Sequence, residues 1–410
     1  MRPVLLSSVE HTARWAPVLL GLTIPVTVAG DSILLLISLV ALGTLAVVRH
    51  KDYLIALAKH PMTQRTALLF ALLTLGALYG DRFPGDTGRF LGKYADLLFV
   101  PLLLLAFRTA SARSRALQAL AASFIIVLVL SYAVHAGWVP PTAQIHGNPG
   151  NAAVFKKDLT HNFLMAYAAF LFLQLGWAAR ASRIKWAWIA AAVLATIDVV
   201  LMVRGRTGQL VLFALIFYSG YAWRGWRGFA LTLVAVGAIA AVLVMTPGPF
   251  QARLDRTFKE AREWHDDSIA RDPVSARLDY YRNSVRIIAG HPLGVGTGGF
   301  PKAYEEIIRG TQSPPSVNPH NEYLLIAVQI GIVGLIALLW LFYTQWKLAP
   351  TLPTELESHL ARGLVIAFAI GCIFNSLLLD HTEGLLFAWL TAVLYGGLLV
   401  IGPSDTQPPR

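Results

Sequence analysis

The 410 residues are 56% hydrophobic and only 14% charged, with a mean hydropathy of +0.57. Soluble domains carry about 25% charged residues, so this composition excludes a soluble globular class and points to an integral membrane protein. The net charge of +11 is not a nucleic-acid signal, because its Lys and Arg gather in the loop clusters that membrane topology produces.

Apolar runs of the ~17–25 residues that cross a bilayer predict about twelve spans, centred on Leu22, Leu39, Leu73, Phe99, Val127, Ala168, Ala192, Leu215, Val236, Ile332, Ala367 and Ala392. Arg2 and Arg14 precede the first run in the manner of a signal peptide. A second apolar run follows at once and no small-residue cleavage site intervenes, which predicts a retained first helix. With the N-terminus in the cytoplasm, five basic groups fall inside: Arg49, Lys51, Lys59 and Arg65; Arg108, Arg113 and Arg115; Arg180, Arg183 and Lys185; Arg224 and Arg227; Lys347 and Arg362. Both termini are then cytoplasmic. The predicted fold is an all-α polytopic membrane protein. Residues 1–246 hold spans one to nine, 247–321 form a long, partly helical periplasmic loop, and 322–410 hold spans ten to twelve. The lone Cys372 excludes an intramolecular disulfide and a multi-cysteine metal site, and reads as a small core residue.

The connection of roughly 75 residues after the ninth span far exceeds the usual ~12–15. Its first half, Gln251 to Ala270, has the mixed charge of an exposed helix, with Arg253, Asp255, Arg256, Lys259, Glu260, Arg262 and Glu263. In Ser275 to Ala289, helical spacing puts Leu278, Tyr281, Val285 and Ile288 on one face. Arg277 flanks that face on one side, with Arg282 and Arg286 on the other. The run Gly290 to Gly299 then bends the chain. Its glycines would also let main-chain N–H groups approach a ligand, but no Lys-Ser/Thr follows and no strand precedes, against a nucleotide loop.

Polar groups at the ends of membrane spans mark function by default, and those expected on the outer side are Lys93, His161, Arg204, Arg206, His320, Glu322, Asp380, His381 and Glu383. Arg204 and Arg206 bracket Gly205 in a short turn before a helix N-terminus. That arrangement suits bidentate contact with phosphate oxygens, or headgroup snorkelling. Lys93 faces the same choice. His161 is a candidate for binding diphosphate or sugar, or for an interfacial hydrogen bond. His320 precedes Asn321, Glu322 and Tyr323 at a helix start. An unperturbed imidazole titrates near ~6.5 and accepts a proton at neutral pH, while the plain alternative is a helix cap. Asp380, His381 and Glu383 form a compact turn, but three ligands within four residues seldom converge on a metal.

Between Ser275 and Gly334 the sequence resembles the O-antigen ligase and polymerase superfamily of bacterial envelope glycosyltransferases. The residues that carry the likeness are Arg277, the turn His291 to Gly298, the helix start His320 to Leu324 with Glu322 at its third position, and Gly331 with Gly334. The turn Arg204 to Thr207 is similar to another of that superfamily. The resemblance implies transfer of O-antigen from undecaprenyl diphosphate to a lipid A-core sugar hydroxyl, on the periplasmic side of the inner membrane. His320 would be the base, assisted by Glu322. Arg204 and Arg206, with Arg277, Lys93 and His161, would hold the diphosphate, without metal or cofactor and with inversion at the anomeric carbon. Tyr280, Asn321, Tyr323, Asp380, His381 and Glu383 are further site candidates. An O-antigen polymerase and a protein-glycosylating ligase share the same motif. A lipid-linked glycan transporter would instead place charges at the midplane and show internal repeats.

Overall fold

A computed structural model describes residues 3–48, 51–79, 86–246, 251, 252, 255, 258, 259, 262 and 273–401. Arg2, Arg49, Arg253, Arg256, Glu260 and Glu263 lie outside the described residues. The described chain is helical, with one isolated pairing of Asn148 with Asn151 and no strand. In order the helices are α1 (Pro3–Thr23), α2 (Val28–Val48), α3 (Lys51–Lys59), α4 (Pro61–Gly76), α5 (Asp86–Tyr94), α6 (Asp96–Ala106), α7 (Ala110–His135) and α8 (Asp158–Ala178). There follow α9 (Ser182–Ile197), which runs into a π turn at Asp198–Met202, then α10 (Arg206–Met245), α11 (Pro273–Gly290), α12 (Phe300–Ile308), α13 (Glu322–Leu348), α14 (Glu355–Phe374) and α15 (His381–Tyr395). Several starts are legible as caps. Thr109 accepts from the Ala112 N–H, Thr354 from the Glu357 N–H, and His60 caps α4 ahead of Pro61.

Seven helices are long and apolar enough to cross a membrane, which makes this a multi-pass membrane protein. Each of the twelve expected centres falls on a helix, but those at Leu22, Leu73, Phe99 and Ala392 fall on helices too short or too polar to qualify alone. Two centres, Leu215 and Val236, share α10. Its dihedrals break at Arg224 and Gly225. A Cβ on Gly228 would lie 1.9 Å from the Gly220 carbonyl oxygen, whereas residues eight apart in a straight helix are separated by ~12 Å. Phe217 and Phe229 also meet, with ring centroids 5.6 Å apart. α10 is therefore two arms folded back on one another.

α13 breaks in the same way at Ile330 and Gly331. Gly334 lies against Ile326, so a nine-residue arm from Glu322 to Ile330 turns sharply into the long arm. α4 runs antiparallel to that long arm. Arg65 reaches Thr344 and stacks 3.6 Å over Trp340, while Gly76 meets Ile330. The helix starting after His320 thus does not plunge directly into the bundle, and the break fixes Gly331 at the end of the bundle where α4 finishes.

α15 is buried on every side from Thr382 to Tyr395. A helix apolar all round belongs at the centre, and it packs against α6, α7 and α14. α2, α9, α10 and the long arm of α13 instead expose large apolar side chains such as Val40, Val193, Val234 and Ile336. An apolar surface of that extent faces lipid. The connections predicted on the outer side lie together at one end of the bundle, here the site end. At the other end Arg113 and Glu357 form a buried ion pair of 2.6 Å.

α11 corrects the expected helical face. Val285 is exposed, and the buried stripe runs through Ser275, Asp279, Asn283 and Ile287. Most of the stripe is polar, and Asn283 on it reaches Ser313, while Ile287 joins the apolar core.

Candidate active site

His320 sits at φ +53°, a left-handed conformation that costs a non-glycine residue about 1–2 kcal/mol. Side chains hold it there. Asn318 Oδ1 accepts from the His320 N–H at 2.8 Å and from Ser376 Oγ at 2.7 Å, and Asn321 starts α13 by accepting from the Leu324 N–H. The half-buried imidazole lies 5.9 Å from the Tyr280 ring, and its Nδ1 is 3.2 Å from Asn375 Oδ1. Asn375 Nδ2 donates to Asp380 Oδ2 at 3.0 Å. Burial raises the Asp380 carboxyl above its ordinary range, and Lys93, Asn375 and His320 pull it back. Lys93 itself is exposed on α5.

The cations come from two elements. Arg206 opens α10 behind Gly205, and both Gly205 and Gly208 press on Asn162 so closely that any Cβ would collide with it. Asn162, buried on α8, donates to the Gly205 carbonyl at 2.9 Å. The Arg204 N–H donates to Asn151 Oδ1 at 2.9 Å. The guanidiniums of Arg204 and Arg206 lie on exposed residues at a helix N-terminus, a place suited to anions. Arg277 of α11 joins them. Burial pushes its guanidinium down from the usual range, the like charge of Arg206 adds to this, and Tyr281 and Tyr280 oppose it. Arg277 is half-buried and Arg206 exposed, and like charges that act on one another are relieved by an anion. Tyr281 connects α11 to the His320 backbone, since its hydroxyl lies 3.3 Å from the His320 carbonyl and 2.8 Å from that of Ile373.

Other expected members stand apart. His161 is 1% exposed. Its Nε2 faces Asp198 Oδ2 at 3.1 Å, its Nδ1 accepts from the Val154 N–H, and Ser131 completes the Asp198 pocket. Both ring nitrogens are engaged within the protein, the hydrogen-bonding arrangement that stood beside diphosphate binding in the sequence. Glu322 is fully buried, accepting from Tyr94 Oη at 2.6 Å and from the Leu378 N–H at 2.9 Å. These contacts tie α5 and the 375–380 turn to the start of α13. The carboxylate is thus directed to Tyr94 and Leu378 and not to the His320 ring. Asn321 donates to the Ile373 carbonyl and Tyr323 to that of Ala369, so both are fastenings to α14. In the DHTEG turn the side chains diverge. His381 turns to Asp31 at 2.9 Å, Glu383 is buried, and Asp380 faces Asn375. Among the described residues no three His, Cys, Asp or Glu side chains are grouped to hold a metal ion.

The glycine run resolves as architecture. Gly294, Gly296 and Gly298 all have positive φ, and a Cβ on Gly296 would lie 2.1 Å from the Tyr79 carbonyl. Their N–H groups are engaged by protein. Val295 and Gly296 donate to the Val328 and Gln329 carbonyls that the break in α13 leaves open, and Thr297 donates to the carbonyl of Gly76. Gly298 donates to Gln329 Oε1. The loop stitches the end of α4 to the short arm that begins beside His320.

Asn375, Asn318, Asn162, Tyr94, Asp31 and Lys156 went unflagged in the sequence. Asn375 was within reach of the rule applied to its neighbours, being a polar residue at the end of an apolar helix five positions before Asp380. Buried Lys156 donates to Thr382 at 3.0 Å and lies 4.0 Å from Asp31.

Against known proteins, the family model described as O-antigen ligase matches residues 190–339. That stretch contains Arg204, Arg206, Arg277, Tyr280, the glycine run, His320 and Glu322, and stops before Asn375. No curated protein matches. A solved chain described under "Structural coordination of polymerization and crosslinking by a peptidoglycan synthase complex" is similar at 16% identity and a TM-score of 0.49, covering 83% of this chain and 96% of that one. That likeness is too loose to carry an argument.

Proposed function

We propose that the chain, which is similar to the O-antigen ligase family over residues 190–339, transfers a glycan from a polyprenyl diphosphate to an acceptor hydroxyl. The donor is undecaprenyl-diphosphate-linked O-antigen, and the acceptor a sugar of the lipid A-core. The reaction takes place on the periplasmic side of the bacterial inner membrane, with both termini cytoplasmic. One observation carries this reading: α11 carries Arg277, which feels the charge of Arg206 at the start of α10, and one turn further Tyr281, which touches the His320 backbone.

A diphosphate ester is already activated, so the protein has to hold its charge and supply a base. His320 Nε2 takes the acceptor proton as the acceptor oxygen bonds to the anomeric carbon. The bond from that carbon to the diphosphate breaks on the opposite face, which inverts the centre. Negative charge gathers on the leaving diphosphate between Arg206 and Arg277, with Arg204 at the rim, where fixed cations stabilise it without reorganising. The captured proton leaves His320 to solvent or to the released diphosphate. Two guanidiniums supply the countercharge that a metal ion would otherwise provide, so a chelator leaves transfer intact; loss on chelation with recovery on adding a divalent cation would refute this.

The test is reconstitution with a defined polyprenyl-diphosphate glycan and separate acceptors. His320→Ala is expected to reduce transfer by about 10²–10⁴-fold, the usual worth of a general base. Near-normal transfer by that variant would remove the base. The product identifies the acceptor, and a lengthened lipid-linked glycan would make the protein a polymerase.

A further inference from the structure

We propose that Asn375 is a positioning residue that passes the charge of Asp380 to His320 and fixes Nε2 as the atom that takes the proton. The inference rests on the reading of His320 as the base. An asparagine side chain has one accepting and one donating end, and its orientation is settled by its partners. Asp380 Oδ2 lies 3.0 Å from Asn375 Nδ2, and a carboxylate only accepts, so the amide nitrogen must face Asp380 and the oxygen must face His320. That oxygen lies 3.2 Å from His320 Nδ1, and an amide oxygen cannot donate. The proton of the neutral ring is therefore on Nδ1, and the lone pair is on Nε2.

The arrangement is an orienting acceptor behind a base, with an amide inserted between imidazole and carboxylate. The amide relays polarisation while keeping the carboxylate a residue away from the ring. The second arm of the same turn reinforces it, since Ser376 and the His320 N–H share Asn318 Oδ1. As the ring takes up charge, the amide dipole and the carboxylate behind it favour the imidazolium. The charged and titratable groups facing this place are Asp380 from the turn before α15, with Glu383 of α15 and Glu322 of α13 acting on it, Lys93 from α5, and Tyr280, Tyr281 and Arg277 from α11.

The test measures kcat/KM for transfer against pH in Asn375→Ala, Asn375→Asp and Asp380→Asn, together with ¹⁵N-histidine spectra in which His320 is assigned by difference with His320→Gln. Asn375→Ala is expected to lower transfer by about 10-fold or more, part of the base's usual contribution. It should also move the acidic limb of the profile to lower pH and lose the preference for the Nδ1–H tautomer. Asn375→Asp places a carboxylate directly on Nδ1, so the limb moves to higher pH and activity is partly restored relative to Ala. Asp380→Asn moves the limb down by less. If transfer falls but the limb and the tautomer stay where they are, Asn375 is structural and the proposal fails. If His320→Ala transfers normally, the base reading fails instead. Should Asn375→Ala not fold, the opposite shifts expected of Asn375→Asp and Asp380→Asn decide the matter; two unmoved limbs overturn it.

Discussion

At the scale of single residues, charge type alone does not assign a role. Glu322 and His320 are two positions apart, yet the carboxylate points into the bundle to Tyr94 and Leu378 while the imidazole faces Asn375. Glu322→Gln leaves one of the two donors without a good acceptor and is expected to cost about 1–3 kcal/mol of stability. Thermal unfolding in detergent would show this, and a cycle with Tyr94→Phe would show coupling above ~0.5 kcal/mol. The pH profile of transfer should not move, which separates this hold from proton transfer. Arg277→Lys keeps the charge but loses the planar fork. Transfer at limiting donor is expected to fall on the order of 10-fold, equivalent to ~1.4 kcal/mol, as a donor titration would reveal. Asp380 makes a pH prediction for stability. Its carboxyl is raised from 3.8 by burial, so the folded state holds that proton more tightly than the unfolded chain does. Its contribution is complete below the unfolded value and declines as pH rises from there through the raised folded value. Asp380→Asn should flatten that decline in unfolding measured across the acid range.

At the scale of elements, the glycines decide more than the apolar periodicity. The spacing of α13 reads as one span from Glu322, because a turn at Gly331 leaves no mark on hydropathy. It exists because Gly331 takes φ +67° and its Cα lies where a Cβ would be 2.3 Å from the Pro292 carbonyl. Gly331→Ala is therefore expected to destabilise by more than ~1 kcal/mol and to abolish most transfer, since the arm that carries His320 hangs on that turn. Gly296→Ala should do the same through the clash with Tyr79. Gly88→Ala, with open space around the position, is the matched control and should leave both stability and transfer near wild type. The face of α11 was misread for a related reason. Its buried side is polar, so a search for apolar spacing selects the side that carries exposed Val285.

At the scale of the whole molecule, the fold is a sorting device. Short buried helices such as α6 and α15 need no lipid-facing length, because longer neighbours, α2 beside α6 and α7 and α14 beside α15, cover the flanks. The connections at the site end supply Arg204, Arg206, Arg277, His320, Asn375 and Asp380. Sidedness can be measured: in a Cys372→Ser background, Gln312→Cys and Arg227→Cys should react with an impermeant thiol reagent from opposite sides of sealed vesicles. Reaction from the same side would refute the arrangement of ends. Arg113→Ala, which strands Glu357 at the far end, is expected to cost about 3–5 kcal/mol in unfolding assays.

The membrane class, the helical fold, the grouping of polar connections and the motif from Arg277 to Gly334 were all legible in the chain before any packing was known. Composition, hydropathy and local spacing are properties of contiguous residues, and they survive without knowledge of packing. Only the tertiary structure decided that α10 and α13 fold back at Gly225 and Gly331, that His161 and Glu322 belong to buried networks, and that Asn375 stands behind His320. Those outcomes depend on contacts between residues far apart in the chain, Glu322 with Tyr94 and Asn375 with His320. Burial and hydrogen-bond direction there are set by which helices meet, and spacing along one helix carries no information about that.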